Sequence, residues 1–386
     1  MKILAAILSL LVLISAGCQR ETLSVPATPA ESPTITVTDL AGREVTLKQP
    51  IERIILMRSL GLYELATVLG DEVEEKLAGW DSSLKTGDLD TYEKFVTQYP
   101  RLEEVTILGD ILRDTVSAEA VLALEPDLVL MNTYMLNRGS KTVERLQQAG
   151  VPLLFLKSED PFRDPQKSIR LLGKVLGKVT EANAAADWID AELQLVFSKI
   201  ETIQGKIPTI YLEAGTQGPD KYGNTFGENQ QGKTVNWGSV LAQLRCQNIA
   251  AGSISGLYGM GVIRPEYLIT ADPEVIVITG AHWTAFPDSL QLGYYADRDQ
   301  SVKRLAAFTE RPGWSELSAV KQRRVHGIHT RFGSHIMSFA AAQQLAKWLY
   351  PEEFKELDPE ERLHEFHQKF MPVEMSGTWM ASLDGD

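Results

Sequence analysis

The chain has 386 residues, 51 of them acidic and 38 basic, with 44% hydrophobic residues and only two cysteines. This composition excludes collagen-like, low-complexity and disulfide-stapled proteins, and the length suggests about two domains. The net charge of −13 argues against a general nucleic-acid binder, whose surface must be positive to displace counterions.

Lys2, an apolar run from Ile3 to Ile14 and the small residues Ser15-Ala16-Gly17 before Cys18 form a secretory signal. The run is too short to span a bilayer, which takes about 20 apolar residues. The ending resembles a bacterial lipobox, although Ser15 stands where a bulky aliphatic residue is usual. Cleavage would then leave Cys18 as a lipidated N-terminus. Cys246, in the apolar stretch VLAQLRC, is left as a lone buried thiol. Residues 18–34, rich in Pro, Ser, Thr and Ala, read as a flexible tether.

The folded body starts near Ile35. ITVTDLAGREVTL alternates apolar and polar residues around Ala41-Gly42, which predicts a hairpin. Strands are predicted at 53–57, 127–131, 153–156, 209–214, 274–280 and 324–328. Helical patterns lie between them at about 60–69, 117–125, 140–149, 238–247 and 336–349. Strands alternating with helices imply parallel sheets. A long helical pattern near 180–205 would span roughly 39 Å, enough to bridge two lobes. An echo supports two lobes. Glu119 precedes Pro126 by seven residues and a strand follows; Glu266 stands in the same relation to Pro273 and the strand VIVIT. The expected fold is α/β, two Rossmann-like lobes with mainly parallel sheets joined by one long rigid helix. The expected boundaries are 1–17 signal peptide, 18–34 tether, 35–179 N-terminal lobe, 180–205 connecting helix, 206–375 C-terminal lobe and 376–386 tail.

Ligands of open α/β sheets bind beyond the carboxyl ends of strands. That rule selects Arg58, Ser59, Asn132, Thr133, Tyr134, His282, Trp283, His329, Arg331, Phe332 and His335 as cleft candidates. Arginine suits carboxylate, catecholate or hydroxamate oxygens, and aromatic rings suit the flat face of a chelate. His282, His329 and His335 are the histidines that would have to converge on a bare metal ion. Tyr222, Tyr294 and Arg298 lie in possible lid loops. Gly227–Thr234 satisfies the phosphate-loop pattern G-x-x-x-x-G-K-T, with Lys233 as its lysine, but the strand expected before it ends some twelve residues early. We read that match as coincidental. A nucleotide-dependent factor or envelope enzyme built on it is the distant alternative. The pair His364 and His367 reads as part of a solvated helix face, and no G-x-S-x-G elbow is present.

Five stretches resemble the substrate-binding proteins of bacterial ABC importers for iron-siderophores, haem and cobalamin. They are ITVTDLAGREVTLKQPIERIILM, VSAEAVLALEPDLVLMN, IRPEYLITADPEVIVIT, RPGWSELSAVKQRRVHGI and AKWLYPEEF, in the family's order across most of 35–355. The resemblance implies a monomeric receptor without enzymatic activity or cofactor, held at the cell envelope by its lipid and facing the periplasm or exterior. It implies that Glu119 and Glu266 dock onto the permease of an importer driven by its ATPase. Glu64 is a weaker rival for that role, read as a solvated helix face. The expected ligand is an iron(III) chelate; haem, cobalamin and a bare divalent metal are the alternatives. The single long connector predicts little hinge motion.

Overall fold

The computed structural model describes residues 32–137, 139–228, 232–254 and 259–384. The signal segment, Cys18 and most of the tether lie outside the described residues.

The hairpin forms as expected, β1 (Thr34–Thr38) against β2 (Glu44–Lys48), with Ile35 opposite Leu47. Asp39 closes the turn. One carboxylate oxygen accepts the amides of Ala41 and Arg43 at 2.9 Å, and the other accepts the Arg43 guanidinium. Gly42, at φ 81°, supplies the left-handed residue that the turn requires.

The N-terminal sheet contains β3 (Ile54–Leu56), β4 (Leu77–Trp80), β5 (Thr106–Ile107), β6 (Leu128–Asn132) and β7 (Leu153–Leu156). All are parallel, in the order β5-β4-β3-β6-β7. β3 and β7 are buried throughout, as expected of strands covered on both faces. The chain runs outward from β3 to one edge and then restarts at β6. The sheet therefore has a topological switch point between β3 and β6, where the loops diverge and leave a crevice.

The C-terminal sheet contains β8 (Thr209–Ala214), β9 (Thr225–Phe226), β10 (Gln247–Asn248), β11 (Met260–Gly261), β12 (Val275–Gly280), β13 (Val325–His329) and β14 (Met380–Ser382). β8, β10, β12 and β13 are parallel, while β9 and β14 add antiparallel strands, so this sheet is mixed. The stretch 376–384 is no tail: β14 pairs with β13, and Trp379 is completely buried against Phe332 and Tyr294. A three-residue edge strand is too short to show a period, which hid it in the sequence.

The connecting helix, Val179–Thr202, has 24 residues. It turns Ala182, Ala185, Ala186, Ile189, Leu193 and Val196 inward. They pack against helix Asp164–Leu176 of one lobe and Ser338–Leu349 of the other. A Cβ on Gly173 would stand 2.4 Å from that of Ala182, so the first pair packs too closely there for any side chain at residue 173. Trp188 packs edge-on against Phe339 and also meets Phe366 and Phe370.

The lobes also meet elsewhere. Residues 371–379 cross between them: the Pro372 carbonyl accepts the Tyr99 hydroxyl at 3.0 Å, and Lys94 donates to Ser376 at 3.2 Å. Elsewhere the segment Gly87–Asp90 of the N-terminal lobe enters the C-terminal lobe. The Leu89 amide donates to the His282 carbonyl and the Tyr295 amide to Asp90.

Candidate functional site

A cavity of about 560 Å³ opens between the carboxyl ends of the two sheets. Its N-terminal wall is the switch point. Arg58 follows β3, Asn132 and Tyr134 end and follow β6, and Lys157, Ser158 and Glu159 follow β7. Arg58 has φ 105°, an uncommon conformation for a residue with a side chain. Its guanidinium donates to the Tyr134 hydroxyl at 3.0 Å and lies 5.6 Å from that ring's centre. The Asn132 amide donates to Ser158 at 2.9 Å, and its oxygen accepts the Tyr134 amide. Beneath these polar groups lie Leu56, Met57, Leu130, Met131 and Leu156.

The opposite wall comes from the C-terminal lobe: Lys233, Thr234, Val235 and Asn236 from one loop, Met260 from β11, and Ser334 and His335 after β13. His335 Nδ1 reaches back to Glu64 Oε1 of the N-terminal lobe at 3.1 Å. Among the described residues Arg58, Lys157 and Lys233 bring positive charge to the cavity wall, and Lys157 pairs with Glu159 at 3.4 Å. Arg58 and Lys233 belong to different lobes. The arrangement suits a ligand with acceptor oxygens at both ends and an apolar body between them.

Of the residues singled out in the sequence, Arg58, Asn132, Tyr134 and His335 come together here. Others do not. Ser59 is buried in a polar knot, where its hydroxyl and amide meet Asp81 and its Oγ accepts the Leu84 amide. Thr133 is buried beneath β6 and β7, its amide bonded to the Leu156 carbonyl. His329 and Phe332 are fully buried against Trp379. The single turn Thr330–Gly333 tucks Arg331 inward, where it donates to the Gly87 carbonyl at 2.7 Å and lies 3.8 Å from Asp88. His282 meets Asp90 at 2.7 Å on the lobe interface, and Trp283, half-buried, lies outside the cavity lining. Tyr294 is core, Tyr222 accepts the Trp314 indole, and Arg298 pairs with Glu360.

The three histidines of the metal hypothesis are thus dispersed. His282 is tied to Asp90, His335 to Glu64, and His329 lies 3.7 Å from buried Asp88. Among the described residues no three His, Cys, Asp or Glu side chains converge as a metal site would need. Burial pushes the Asp88 carboxyl up, but His329, Arg331 and the Tyr63 hydroxyl outweigh it and hold the group below the usual carboxylate range.

Two residues have roles that their sequence context hid. Glu64 is not on a solvated face; it is 7% exposed and forms part of the cavity wall. The signal was present: every residue of helix Leu62–Leu69 is buried, so a carboxylate within it had to face a cleft or a partner. Lys233 belongs to the phosphate-loop pattern, yet it lines the cavity. A strand, β9, does end directly before Gly227, but the following helix begins only at Trp237, capped by Asn236. Lys233 and Thr234 therefore do not sit at a helix N-terminus, as phosphate binding by this motif requires. Residues 229–231 of the motif lie outside the described residues. Two other expectations change. His367 is buried and contacts the Tyr294 hydroxyl at 3.0 Å. Cys246 is half-buried, its thiol pushed up to about 12 by burial, which leaves it unreactive at neutral pH.

Glu119 and Glu266 both stand exposed in the first turn of a short helix that leads into a central strand, β6 and β12 respectively. Ser117 caps the first helix and donates to Glu119 at 2.8 Å.

Residues 68–331 match the family described as periplasmic binding protein. The chain belongs to that family. An uncharacterized ABC transporter substrate-binding lipoprotein, YvrC of Bacillus subtilis, is 26% identical over 328 residues, covering 83% of this chain and 87% of that protein. The molybdate-binding protein MolA of Haemophilus influenzae is 22% identical over 364 residues, covering 86% and 90%. Among solved structures, the TroA-like periplasmic binding protein FepB from Veillonella parvula superposes with a TM-score of 0.82 at 32% identity. It covers 90% of this chain and 99% of that one. MolA bound to molybdate superposes at 0.65 with 19% identity, a likeness of fold alone. The protein is a periplasmic substrate-binding protein of an ABC importer, and its family consists of binding proteins rather than enzymes. Such proteins work with a permease and its ATPase. Among the described residues no helix is long and apolar enough to cross a membrane.

Proposed function

We propose that the cleft captures an anionic metal chelate, an iron(III)-siderophore in preference to haem or cobalamin, for delivery to the importer. The observation that carries this reading is the pair Arg58 and Lys233, held on opposite lobes of a mainly apolar cavity of about 560 Å³. That volume lies within the usual range for small-molecule sites, roughly 300–1,000 Å³. A single tetrahedral oxyanion, the cargo named for MolA, would leave most of it unfilled. A bare divalent ion would find no converging ligand set among the described residues. Quenching of tryptophan fluorescence by a panel of ferric siderophores, haem, cobalamin, molybdate and divalent metals tests the choice. Arg58→Ala and Lys233→Ala are each expected to weaken binding of a ferric siderophore about 10- to 100-fold, since each removes charge-assisted bonds. Unchanged affinity in both variants refutes the reading.

Delivery depends in this reading on Glu119 and Glu266, whose exposed carboxylates would set the register on a basic permease surface. Glu119→Lys with Glu266→Lys is expected to abolish uptake in cells while leaving chelate affinity within about twofold. Uptake at the unaltered rate would remove the docking role. Lipid attachment at Cys18 completes the proposal, and YvrC, described as a lipoprotein, supports it.

A further inference from the structure

Glu64 is the one charged residue of a helix buried on every side. Its Oε1 is occupied by His335. Its Oε2 is buried and has no hydrogen-bond partner among the described residues. That oxygen lies 3.9 Å from the point where a Cβ on Gly61 would stand, and Gly61 and Glu64 both line the cavity. A side chain at residue 61 would begin in contact with that oxygen. A carboxylate oxygen withdrawn from water without a donor is costly to the fold, and most proteins satisfy such atoms internally.

We propose, building on the reading of the cleft as a chelate site, that Glu64 Oε2 is a subsite for a hydrogen-bond donor on the cargo. Arg58 and Lys233 donate and therefore match acceptor oxygens. Glu64 provides the complementary acceptor. A cargo that satisfies all three carries an amide N–H or a hydroxyl beside its anionic metal-binding oxygens. Molybdate, which presents only acceptors at neutral pH, satisfies two of the three. A site built around a donor rejects an analogue that lacks it, because the analogue leaves the carboxylate unpaired.

The test uses a matched pair of trianionic probes: the ferric tris-catecholate complexes of 2,3-dihydroxybenzamide and of its N,N-dimethyl derivative, which lacks amide N–H groups. Wild-type protein is expected to bind the N–H complex about tenfold or more tightly, and Glu64→Leu to lose that preference. Equal affinity of the wild type for both complexes, or a preference that survives in Glu64→Leu, overturns the proposal. A second measurement needs no ligand. If Oε2 is left unpaired for cargo, Glu64→Gln removes a buried charge, and the melting temperature of the empty protein stays level or rises. A fall of several degrees would make the carboxylate a structural tie to His335 and would also overturn the proposal. Should neither complex bind the wild type, the chelate reading fails, and the melting experiment alone decides the donor subsite.

Discussion

Replacing Arg311 with methionine will destabilise the protein by about 3–5 kcal/mol, measured as a shift in the denaturant midpoint. Arg311 and Glu213 form an ion pair at 2.9 Å with side chains 3% and 0% exposed. Glu213 is otherwise served by the Tyr211 hydroxyl and the Gly223 amide at 2.7 Å each. The guanidinium also donates to the carbonyls of Gly218, Pro219 and Lys221, and packs over Tyr222 and Trp314. It thereby organises the loop after β8. Losing the cation leaves a buried carboxylate with no counter-charge, which is worse than having no pair at all. The double variant Glu213→Leu, Arg311→Met is therefore expected to recover much of the loss. A double variant as unstable as the single one would show that the loop contacts, not the charge, carry the effect.

Acidification is the second large effect. Burial pushes His367 down to about 4, and burial with Arg324 nearby pushes His326 down to about 3, against an ordinary 6.5. Both rings are therefore folded in neutral form. His326 stacks on Trp348 with centroids 4.3 Å apart, and His367 sits against Tyr294 and Trp379. A depressed folded-state pKa gives stability that is fully present above the unfolded value of 6.5 and declines as pH falls toward the folded value. The expected losses are about 3 kcal/mol for His367 by pH 4 and about 4 kcal/mol for His326 by pH 3. Asp88, held low, adds its own loss as pH falls through the ordinary carboxylate value and on toward its lower folded one. The melting temperature is expected to decline from pH 6.5 downward, and His367→Gln to flatten the upper part of that decline. A level profile between pH 7 and 4.5 would show that these rings are not buried neutral.

The parts of the fold legible in the sequence are those whose burial is two-sided. IIL of β3, LVLM of β6 and VIVIT of β12 are continuous apolar runs because helices cover both faces of each strand. β5, β9 and β14 have two or three residues and carry no period to read. The site was legible where a strand end opens directly into the crevice, as at Arg58, Asn132 and Tyr134. The same rule failed after β13. There a helical turn carries Arg331 and Phe332 into the lobe interface before Ser334 and His335 emerge, and periodicity does not reveal such a turn. Lys233 was obscured by a motif whose chemistry depends on a helix starting at that lysine, and the start comes later. Glu64 was obscured by its charge, which suggested a solvated face on a helix that has none.

The lobes are joined by the connecting helix, by the Gly87–Asp90 segment, by residues 371–379 and, across the cleft, by His335 and Glu64. A frame tied in this way is expected to rearrange little when cargo enters. The expected heat-capacity change on loading is then that of the surface covered inside the cleft, without a contribution from closing lobes. Differences in affinity among cargoes would become differences in how long each stays, because every cargo would meet the same standing cavity on arrival.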